Sequence, residues 1–508
     1  MTSAAWQANN VGSATKTGYL ADSVVLGRHI VAFFLLGLCV YCLAGVRDSW
    51  GPLFLGARAF LGGLLLLSLV IPTRVGIPLF FLLLLVCPDL MQGSSEKSLM
   101  GEYRTASVWQ FFLGPIRAGW IIGLATIVQA LRTMSLPLNK RVTRAILWFL
   151  TVPVFAGFIY GGFSSFAWQI EVTADLKTPI QWICSIILFH GFFRRHPHLL
   201  GMMLALFLGA SVAKFLGDFC FWLLELSGPA MGSSSVSADS AKSSIVLLLL
   251  LAIYMLMTAR RVFLGCALGL ACGVLIVLFG TRLIWITSLL CTSVLMLLYG
   301  AKRATILVPF AVALGLGSVG VLRAVYPDAF ERLMPATESF SDEQSGSNIL
   351  MRVDALRYGE MLNSLDTSMK RWALLWGNGY GSYYNDDVMA FPTQLTDAHP
   401  DYSAKSGHFF YCHNYVSQIL FKYGLIGLIV ITGLWVGPAF ECYKVVFNPK
   451  HPHFTHGFVG SCIAFIPNAV LIFYWPAKGL FLGGFILAVF LSVNERHREE
   501  TAAIAPDS

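Results

Sequence analysis

The feature that most constrains this chain is a series of apolar runs, many of eighteen residues or more, that recur along most of its 508 residues. A helix of about that length crosses the roughly 30 Å hydrocarbon core of a bilayer. Only 12% of the residues are charged, whereas 56% are hydrophobic. The sequence therefore predicts an all-α polytopic integral membrane protein with about 12–14 transmembrane helices and one large extramembrane loop that contains short helices.

The apolar runs divide the chain into five parts. These are an N-terminal segment (1–28), a first block of eleven spans (29–323), a large loop (324–411), a second block of spans (412–493) and a C-terminal tail (494–508). The tail beyond Arg498 is predicted to be disordered. The individual spans are predicted at 29–46, 53–72, 75–90, 108–131, 145–162, 177–195, 199–226, 245–258, 262–280, 283–299, 305–323, 412–434, 456–475 and 479–493.

The positive charge of the chain predicts an orientation and gives no indication of nucleic acid as a partner. The net charge is +8, but Lys and Arg gather in short connections that all fall on one side when the N-terminus is cytoplasmic. The first span is predicted to direct insertion, because residues 1–26 lack the apolar core of a cleavable signal peptide. The large loop then lies on the opposite side. It holds 12 Asp and Glu against 6 Lys and Arg, and its length predicts a functional role.

Two features of the large loop carry predictions. Apolar residues at helical spacing predict a helix over 348–364 and a second short helix that runs to Trp376. The next residues, Trp376-Gly377-Asn378-Gly379-Tyr380-Gly381, predict a tight turn with exposed backbone N–H groups. The turn lacks the preceding strand of a dinucleotide-binding motif, so it does not predict a nucleotide site.

Ionisable residues inside apolar runs are costly, and each is a functional candidate. Lys214 and Asp218 are spaced to neutralise each other on one helix, and Arg58 lies close enough to the interface to extend into it. Arg117 lies two to three turns deep, where it either lines a polar cavity with a ligand or has a structural role. Arg282 opens a span, as either a lipid-headgroup anchor or a site residue. The motif Cys39-x-x-Cys42 is interpreted as structural, and no metal site is predicted.

The boundary between the large loop and the next span holds His413-Asn414. A histidine is the natural general base near neutral pH, although an interfacial histidine is also often structural. Asn414 either orients the imidazole or caps the helix. Gly424 and Gly427, three residues apart, predict the close approach of a neighbouring helix. Because arginine forks match phosphate oxygens, one base and several arginines at a membrane surface suggest a lipid-linked diphosphate substrate.

These motifs resemble those of the O-antigen ligase and polymerase family. His413-Asn414, nine residues and then Gly424-Leu425-Ile426-Gly427 are similar to the ligase signature of His-Asn, nine residues and Gly-x-x-Gly. Arg352, near the first helix of the loop, and the Gly-rich turn also match. Thr281-Arg282 with Trp285 resembles the family's Ser-Arg-Gly-Ala-Trp element, but Leu283-Ile284 replaces the Gly-Ala pair. The resemblance covers roughly 245–435.

The resemblance implies transfer of a glycan from undecaprenyl diphosphate to a sugar hydroxyl, at the periplasmic face of the bacterial inner membrane, without cofactor or metal. It implies that Arg282 and Arg352 bind the diphosphate, and that His413 acts either as the base or, as an imidazolium, as a further contact to the diphosphate. Asn414, Arg117, Lys214, Gly379 and Gly381 are further candidates for substrate binding. Gly424 and Gly427 are structural candidates. The implied partners are a lipid-linked glycan donor, membrane lipids, and lipid A core or a growing polysaccharide as acceptor.

Three alternatives stay open at this point. A ligase acting on lipid A core and an O-antigen or exopolysaccharide polymerase share the same motifs. A transporter or flippase for lipid-linked oligosaccharide would use the same cations, although the chain lacks the two related halves typical of transporters. A noncatalytic assembly scaffold would tolerate substitution of His413, Arg282 and Arg352.

Overall fold

The computed structural model describes the helices of the chain together with part of the large loop. The described residues are 23–44, 52–87, 118–134, 143–144, 157, 159, 169–226, 239–257, 262–279, 282–299, 320, 355–390, 408–410, 412, 415–446, 453–466 and 480–504. Within these ranges the regular secondary structure is helical, residues 371–390 form turns and irregular chain, and no β-strand is formed. One isolated antiparallel bridge joins Tyr384 and Phe409.

Thirteen α-helices and one 3₁₀ turn are formed by the described residues. In chain order the helices are α1 (Ser23–Ala44), α2 (Pro52–Val70), α3 (Thr73–Val86), α4 (Ala118–Thr133), α5 (Gln169–Arg195), α6 (Leu200–Leu226), α7 (Asp239–Met257), α8 (Val262–Phe279), α9 (Arg282–Tyr299), α10 (Ala355–Lys370), α11 (Tyr415–Val446), α12 (His453–Ala464) and α13 (Leu480–Ile504); the 3₁₀ turn is Pro197–Leu199.

Most of these helices lie where the apolar runs predict them, because a helix satisfies the backbone hydrogen bonds of an apolar segment within the segment itself. The spans predicted at 145–162 and 305–323 fall almost entirely outside the described residues. At the other end of the chain, α13 continues to Ile504. The prediction that the tail is disordered beyond Arg498 is therefore wrong for residues 499–504.

Aromatic rings fill the centre of the bundle. The ring of Phe485 on α13 lies 4.7 Å from that of Phe81 on α3, 5.3 Å from Phe189 on α5 and 5.7 Å from Phe207 on α6. All four side chains are fully buried. Tilted and edge-to-face pairs of this kind add to the free energy of apolar burial. This cluster joins α3 and α13, which are far apart in the sequence, to the consecutive helices α5 and α6.

Two helical segments are long and apolar enough to cross a membrane, Pro197–Gly217 and Val416–Lys444. Six shorter apolar helical segments accompany them within the described parts of the chain. These are Arg28–Ala44, Leu55–Val70, Thr73–Val86, Ile245–Met257, Val262–Gly273 and Thr287–Tyr299.

Basic residues from several connections meet at one end of the bundle. The Arg132 guanidinium at the end of α4 donates to the carbonyls of Ser68 and Ile71 near the end of α2, and Arg195 at the end of α5 donates to the Arg132 carbonyl over 3.1 Å. Arg496 of α13 donates to the Phe193 carbonyl on α5. The ends of α2, α4 and α5 and the charged part of α13 therefore form one basic end.

The described part of the large loop differs from its prediction in two ways. The helix α10 runs over Ala355–Lys370 and packs on α11, so it extends six residues beyond the predicted end at Ser364. The second short helix predicted to run to Trp376 is wrong, because residues 371–376 form turns. The buried face of α10 carries small polar residues such as Ser364 and Ser368, not a long apolar stripe.

Candidate functional site

A helix break in α11 is the centre of the candidate site. Gly424 has φ 70° and ψ −172° inside the span from Tyr415 to Val446. That region of backbone space is accessible essentially only to glycine. A break there removes the helical hydrogen bonds from Leu425 N–H to the Phe421 carbonyl and from Ile426 N–H to the Lys422 carbonyl. In an apolar environment those four groups need other partners.

The Gly-rich turn of the large loop supplies those partners. The carbonyls of Leu374 and Leu375 accept from Leu425 N–H over 2.9 Å and from Ile426 N–H over 3.2 Å. In the other direction, Asn378 N–H donates to the Phe421 carbonyl over 2.7 Å, and Gly379 N–H donates to the Lys422 carbonyl over 3.0 Å. We call this hydrogen-bonded unit of residues 374–379 and 421–426 the turn–helix junction. It satisfies both sides of the break.

Two glycines allow the backbones to meet at the junction. A Cβ on Gly424 would collide with the Leu375 carbonyl and the Gly377 nitrogen, and a Cβ on Gly377 would collide with the Lys422 carbonyl. The close approach predicted at Gly424 thus occurs against loop backbone, and among the described residues its nearest contacts are Leu375 and Gly377, not a neighbouring helix. Gly427, three residues further along α11, is buried.

The backbone N–H groups of the Gly-rich turn are bonded within the protein. Gly377, Gly379 and Gly381 all have positive φ, as a tight turn requires. However, Tyr380 N–H donates to the Gly157 carbonyl over 3.0 Å, and Gly381 N–H donates to Asp175 Oδ2 over 2.8 Å. The expectation of exposed N–H groups is therefore wrong. Substrate binding by Gly379 and Gly381 stays a prediction, and their N–H groups would not be its donors.

A buried ion pair connects the junction to α5. Lys422 Nζ lies 2.7 Å from Asp175 Oδ2, and the two side chains are 1% and 5% exposed. The ammonium also donates to the Ser382 carbonyl over 3.0 Å, while the same carboxylate oxygen accepts from Gly381 N–H. These extra hydrogen bonds are what a buried ion pair needs to offset the loss of water around both charges. The pair joins α5, the loop and α11.

A pair of tyrosines lies beside the ion pair. The Tyr423 hydroxyl on α11 donates to the Tyr380 hydroxyl of the turn over 3.2 Å, and the two rings meet edge to face at 5.6 Å. Burial, followed by the nearby Tyr423 and Asp175, raises the pKa of Tyr380 well above its ordinary value. Its hydroxyl therefore keeps its proton and acts as a neutral hydrogen-bonding group.

Residues 383–385 and 408–410 form a short ribbon around the bridge between Tyr384 and Phe409. Alternate residues of extended chain point to opposite faces. Tyr384 and Phe409 are accordingly buried against Phe421 of α11, with ring centroids 5.4 Å apart for Tyr384 and Phe421. Their neighbours Tyr383 and His408 stack on the opposite, partly exposed face, 3.8 Å between centroids.

The hydrogen bond of His408 defines which ring nitrogen carries the proton. Asn385 Oδ1 lies 2.9 Å from His408 Nδ1, and an oxygen can only accept. In the neutral ring Nδ1 is thus protonated and Nε2 holds the lone pair. Arg371 lies over the Tyr383 ring at 5.0 Å. Burial, together with the positive charge of Arg371, lowers the pKa of His408.

We predict that replacement of Arg371 by glutamine raises the pKa of His408, since it removes the nearby positive charge. Because the folded pKa lies below that of an unfolded histidine, about 6.5, the unfolded chain binds the proton first. The contribution of His408 to loop stability is then lost as pH falls below about 6.5. Histidine-selective ¹³C NMR titration, with His408→Gln to assign the signal, measures this. An unchanged His408 pKa in the Arg371→Gln variant would show that the charge of Arg371 does not act on this ring.

The sequence-predicted site residues fall into two groups. His413, Asn414, Arg352 and Arg117 lie outside the described residues. Arg282 is the first residue of α9, and the structure describes its backbone but not its side chain. Lys214 is buried on α6. For Asp218 and Arg58, too, the structure describes the helical backbone but not the side chain.

The structure describes the residues on either side of the His413-Asn414 motif. Cys412 is fully buried, and its N–H donates to Gln418 Oε1 of α11 over 2.8 Å. Tyr415 begins α11. The described residues that flank the motif therefore belong to the start of the helix whose break forms the junction.

Sequence reasoning missed Asp175 and Lys422. Lys422 was detectable as an ionisable residue within an apolar run, which is a functional candidate by default. Asp175 was placed in a connection, because the span there was predicted to begin at residue 177; α5 in fact begins at Gln169. No sequence signal links two residues 247 positions apart.

Comparisons with known proteins leave the site to be interpreted on its own chemistry. No protein-family model matches the sequence, and a search of curated proteins finds no match. Within the described ranges, no three His, Cys, Asp or Glu side chains are grouped so that they could hold a metal ion.

Proposed function

We propose that this protein is a polytopic membrane enzyme that transfers a glycan from undecaprenyl diphosphate to a sugar hydroxyl. The reaction takes place at the periplasmic face of the bacterial inner membrane. The acceptor is lipid A core if the enzyme is a ligase, and a growing polysaccharide if it is a polymerase. The proposal rests on the resemblance of the His413-Asn414 motif and on the position of its neighbours in the fold.

The separation of the two ends of α5 supports the membrane part of the proposal. Asp175 holds the turn–helix junction near the start of this helix, and Arg195 belongs to the basic end. Twenty residues of α-helix rise about 30 Å, which is the thickness of the hydrocarbon core. By the positive-inside rule the basic end faces the cytoplasm. The junction then lies at the periplasmic side.

The single observation that supports the catalytic part is the anchoring of the described residues on either side of the His413-Asn414 motif. Cys412 is buried and bonded to Gln418 of α11, and Tyr415 begins that helix, at the end of the bundle away from the basic end. The junction ties the first turns of α11 to the loop, and the Lys422–Asp175 pair ties them to α5. A catalytic group needs this kind of support, because small displacements of a reacting group slow a reaction strongly.

The proposed chemistry balances without a metal. His413 takes the proton of the acceptor hydroxyl as its oxygen forms a bond to the anomeric carbon of the donor sugar. The bond from that carbon to the diphosphate oxygen breaks, and undecaprenyl diphosphate leaves with the electron pair. Arg282 and Arg352 bind the diphosphate and stabilise its developing negative charge. Attack from the face opposite the leaving group inverts the anomeric centre.

We predict that Arg282→Ala and Arg352→Ala each reduce glycan transfer by about 100-fold or more, because preorganised positive charge at a leaving group is a large catalytic term. Arg282→Lys and Arg352→Lys should retain part of the activity, since a lysine keeps the charge but loses the bidentate geometry. The measurement is the initial rate of transfer by purified protein in nanodiscs. Wild-type rates in both alanine variants would exclude these arginines from the site.

The assay that separates the function classes offers wild-type protein one donor and two acceptors, with a metal chelator present. The donor is an undecaprenyl-diphosphate-linked oligosaccharide, and the acceptors are lipid A core and a second donor molecule. Product on lipid A core identifies a ligase, and longer chains on the lipid carrier identify a polymerase. Headgroup translocation across a vesicle without product from either acceptor would replace the proposal with a transporter.

A further inference from the structure

An exposed aromatic surface on the large loop has no role in the proposed chemistry. It consists of Met369, Trp372, Leu374, Leu375 and Trp376, and we call it the aromatic rim. Trp372 is 92% exposed and Trp376 is 63% exposed. Five large apolar side chains exposed within eight residues of the large loop indicate an interaction surface.

The backbone beneath Trp372 adds an independent observation. At the end of α10, Ala373 N–H donates to the Ser368 carbonyl over 2.8 Å and Trp372 N–H donates to the Met369 carbonyl over 3.1 Å. These two bonds are those of a Schellman motif, in which the residue at the position of Trp372 adopts the left-handed conformation and is usually glycine. Trp372 has φ 55°, and it is the one non-glycine residue with positive φ in the described ranges.

A tryptophan at this position adopts a strained backbone and gains no burial within the chain in return. Glycine would make the same turn without the steric penalty of a Cβ. Non-glycine residues in such conformations cluster where function needs a particular side chain. The indole of Trp372 is therefore best explained by something outside the folded chain.

The position of the rim indicates what covers it. The carbonyls of Leu374 and Leu375 bond directly to the backbone of Leu425 and Ile426 on α11. Beyond the break, α11 exposes a stripe of large apolar side chains at helical spacing; these are Leu425, Ile429, Val436, Phe440 and Tyr443. The stripe runs along a segment, Val416–Lys444, that is long and apolar enough to cross a membrane. The rim continues the stripe at its loop end.

We propose that the aromatic rim inserts into the headgroup and upper acyl-chain region of the bilayer beside α11. This inference rests on the proposed membrane location and goes beyond the proposed reaction. Tryptophan favours this interfacial region, because its ring is apolar and its N–H finds water or headgroups. Since the rim is bonded to the turn–helix junction, its insertion sets the depth of the junction and of the start of α11.

The test uses full-length protein in nanodiscs and the intrinsic fluorescence of Trp372. The chain has 13 tryptophans. The emission of Trp372→Phe is therefore subtracted from that of the wild type, which isolates the contribution of Trp372 from that of the other tryptophans. Nanodiscs are made with phosphatidylcholine brominated on the upper part of the acyl chain, with unbrominated lipid as control. We expect the difference emission to lose most of its intensity in brominated lipid and to resist quenching by iodide in the buffer.

Three results would overturn the inference. Difference emission quenched by iodide but not by brominated lipid would place Trp372 in water. Emission quenched by neither would place it against protein, such as a second copy of the chain. If brominated lipid quenched no tryptophan of the protein, the membrane location itself would fail together with the inference; normal quenching of the remaining tryptophans would confine the failure to the rim.

Trp372→Gly separates insertion from a structural role of this residue. We expect this variant to unfold at the same or a slightly higher temperature than the wild type, because glycine relieves the strained turn. In the same nanodiscs, the emission of Trp376 should shift to longer wavelength, since its neighbour no longer holds the rim in the lipid; Trp376→Phe identifies that component. Destabilisation by Trp372→Gly would instead show that the indole stabilises the folded chain itself.

Discussion

Replacement of Gly424 by alanine is expected to destabilise the protein by about 3 kcal/mol or more. Its φ of 70° and ψ of −172° exclude side chains with a Cβ, and the added carbon would collide with the Leu375 carbonyl. Relief of the collision must separate the loop from the helix break. The backbone groups of Leu425 and Ile426 would then lose their loop partners, which adds the free-energy penalty of unsatisfied polar groups.

The same helix offers matched controls for this change. Gly433 and Gly437 lie further along α11, where an added Cβ meets nothing within 4 Å. Alanine at either position should leave stability unchanged or raise it slightly, because alanine favours a helix more than glycine does. Unfolding of the three variants in mixed micelles with increasing denaturing detergent measures the differences. Equal stabilities of Gly424→Ala and Gly433→Ala would contradict the account of the junction.

Replacement of Lys422 by methionine is the second change with a large expected effect. It leaves the Asp175 carboxylate buried without its cation, and breaking a buried ion pair in this way typically destabilises by about 3–5 kcal/mol. The double variant Asp175→Leu, Lys422→Met should recover part of this loss. Recovery would be incomplete, since Gly381 N–H and the Ser382 carbonyl also lose their partners.

Lys370 supplies the control for the ion pair. Its ammonium lies 2.7 Å from Asp366 Oδ2, the same separation as in the buried pair, but the Lys370 side chain is 61% exposed. Exposed pairs contribute little, so Lys370→Met should leave the stability close to that of the wild type. Unfolding in mixed micelles with increasing denaturing detergent compares the wild type, Lys422→Met, the double variant and Lys370→Met. A Lys422→Met variant as stable as Lys370→Met would mean that the buried pair does not hold the junction.

The sequence predicts the helices well, because apolar runs can satisfy their backbone in few other ways. It predicts the Gly-rich turn too, since three glycines at alternate positions indicate positive φ, and all three have it. The sequence does not predict that this turn supplies hydrogen-bond partners to the break in α11. Glycine at 424 within an apolar run has the same local signature whether a helix or a loop approaches it, and the choice depends on residues 374–379, about fifty positions earlier.

Contacts between residues distant in the sequence also explain why the Lys422–Asp175 ion pair was missed and why the short helix predicted up to Trp376 is wrong. Asp175 and Lys422 are brought together by the packing of α5 on the loop and α11, which no local pattern records. Residues 371–376 have apolar side chains at roughly helical spacing, yet a Schellman motif ends α10 with Trp372 in a conformation that sequence statistics assign to glycine. Tertiary bonds to α11 then determine the path of the chain.

We propose His413 as the base of glycan transfer, and the most direct test compares the wild type with His413→Ala. Single-turnover transfer from an undecaprenyl-diphosphate-linked oligosaccharide is measured in nanodiscs, with donor binding measured on the same samples. We expect the variant to bind donor as the wild type does and to transfer glycan about 10²–10⁴-fold more slowly, the range expected for loss of a general base. Transfer at the wild-type rate would contradict the claim, as would a loss of activity fully explained by a loss of donor binding.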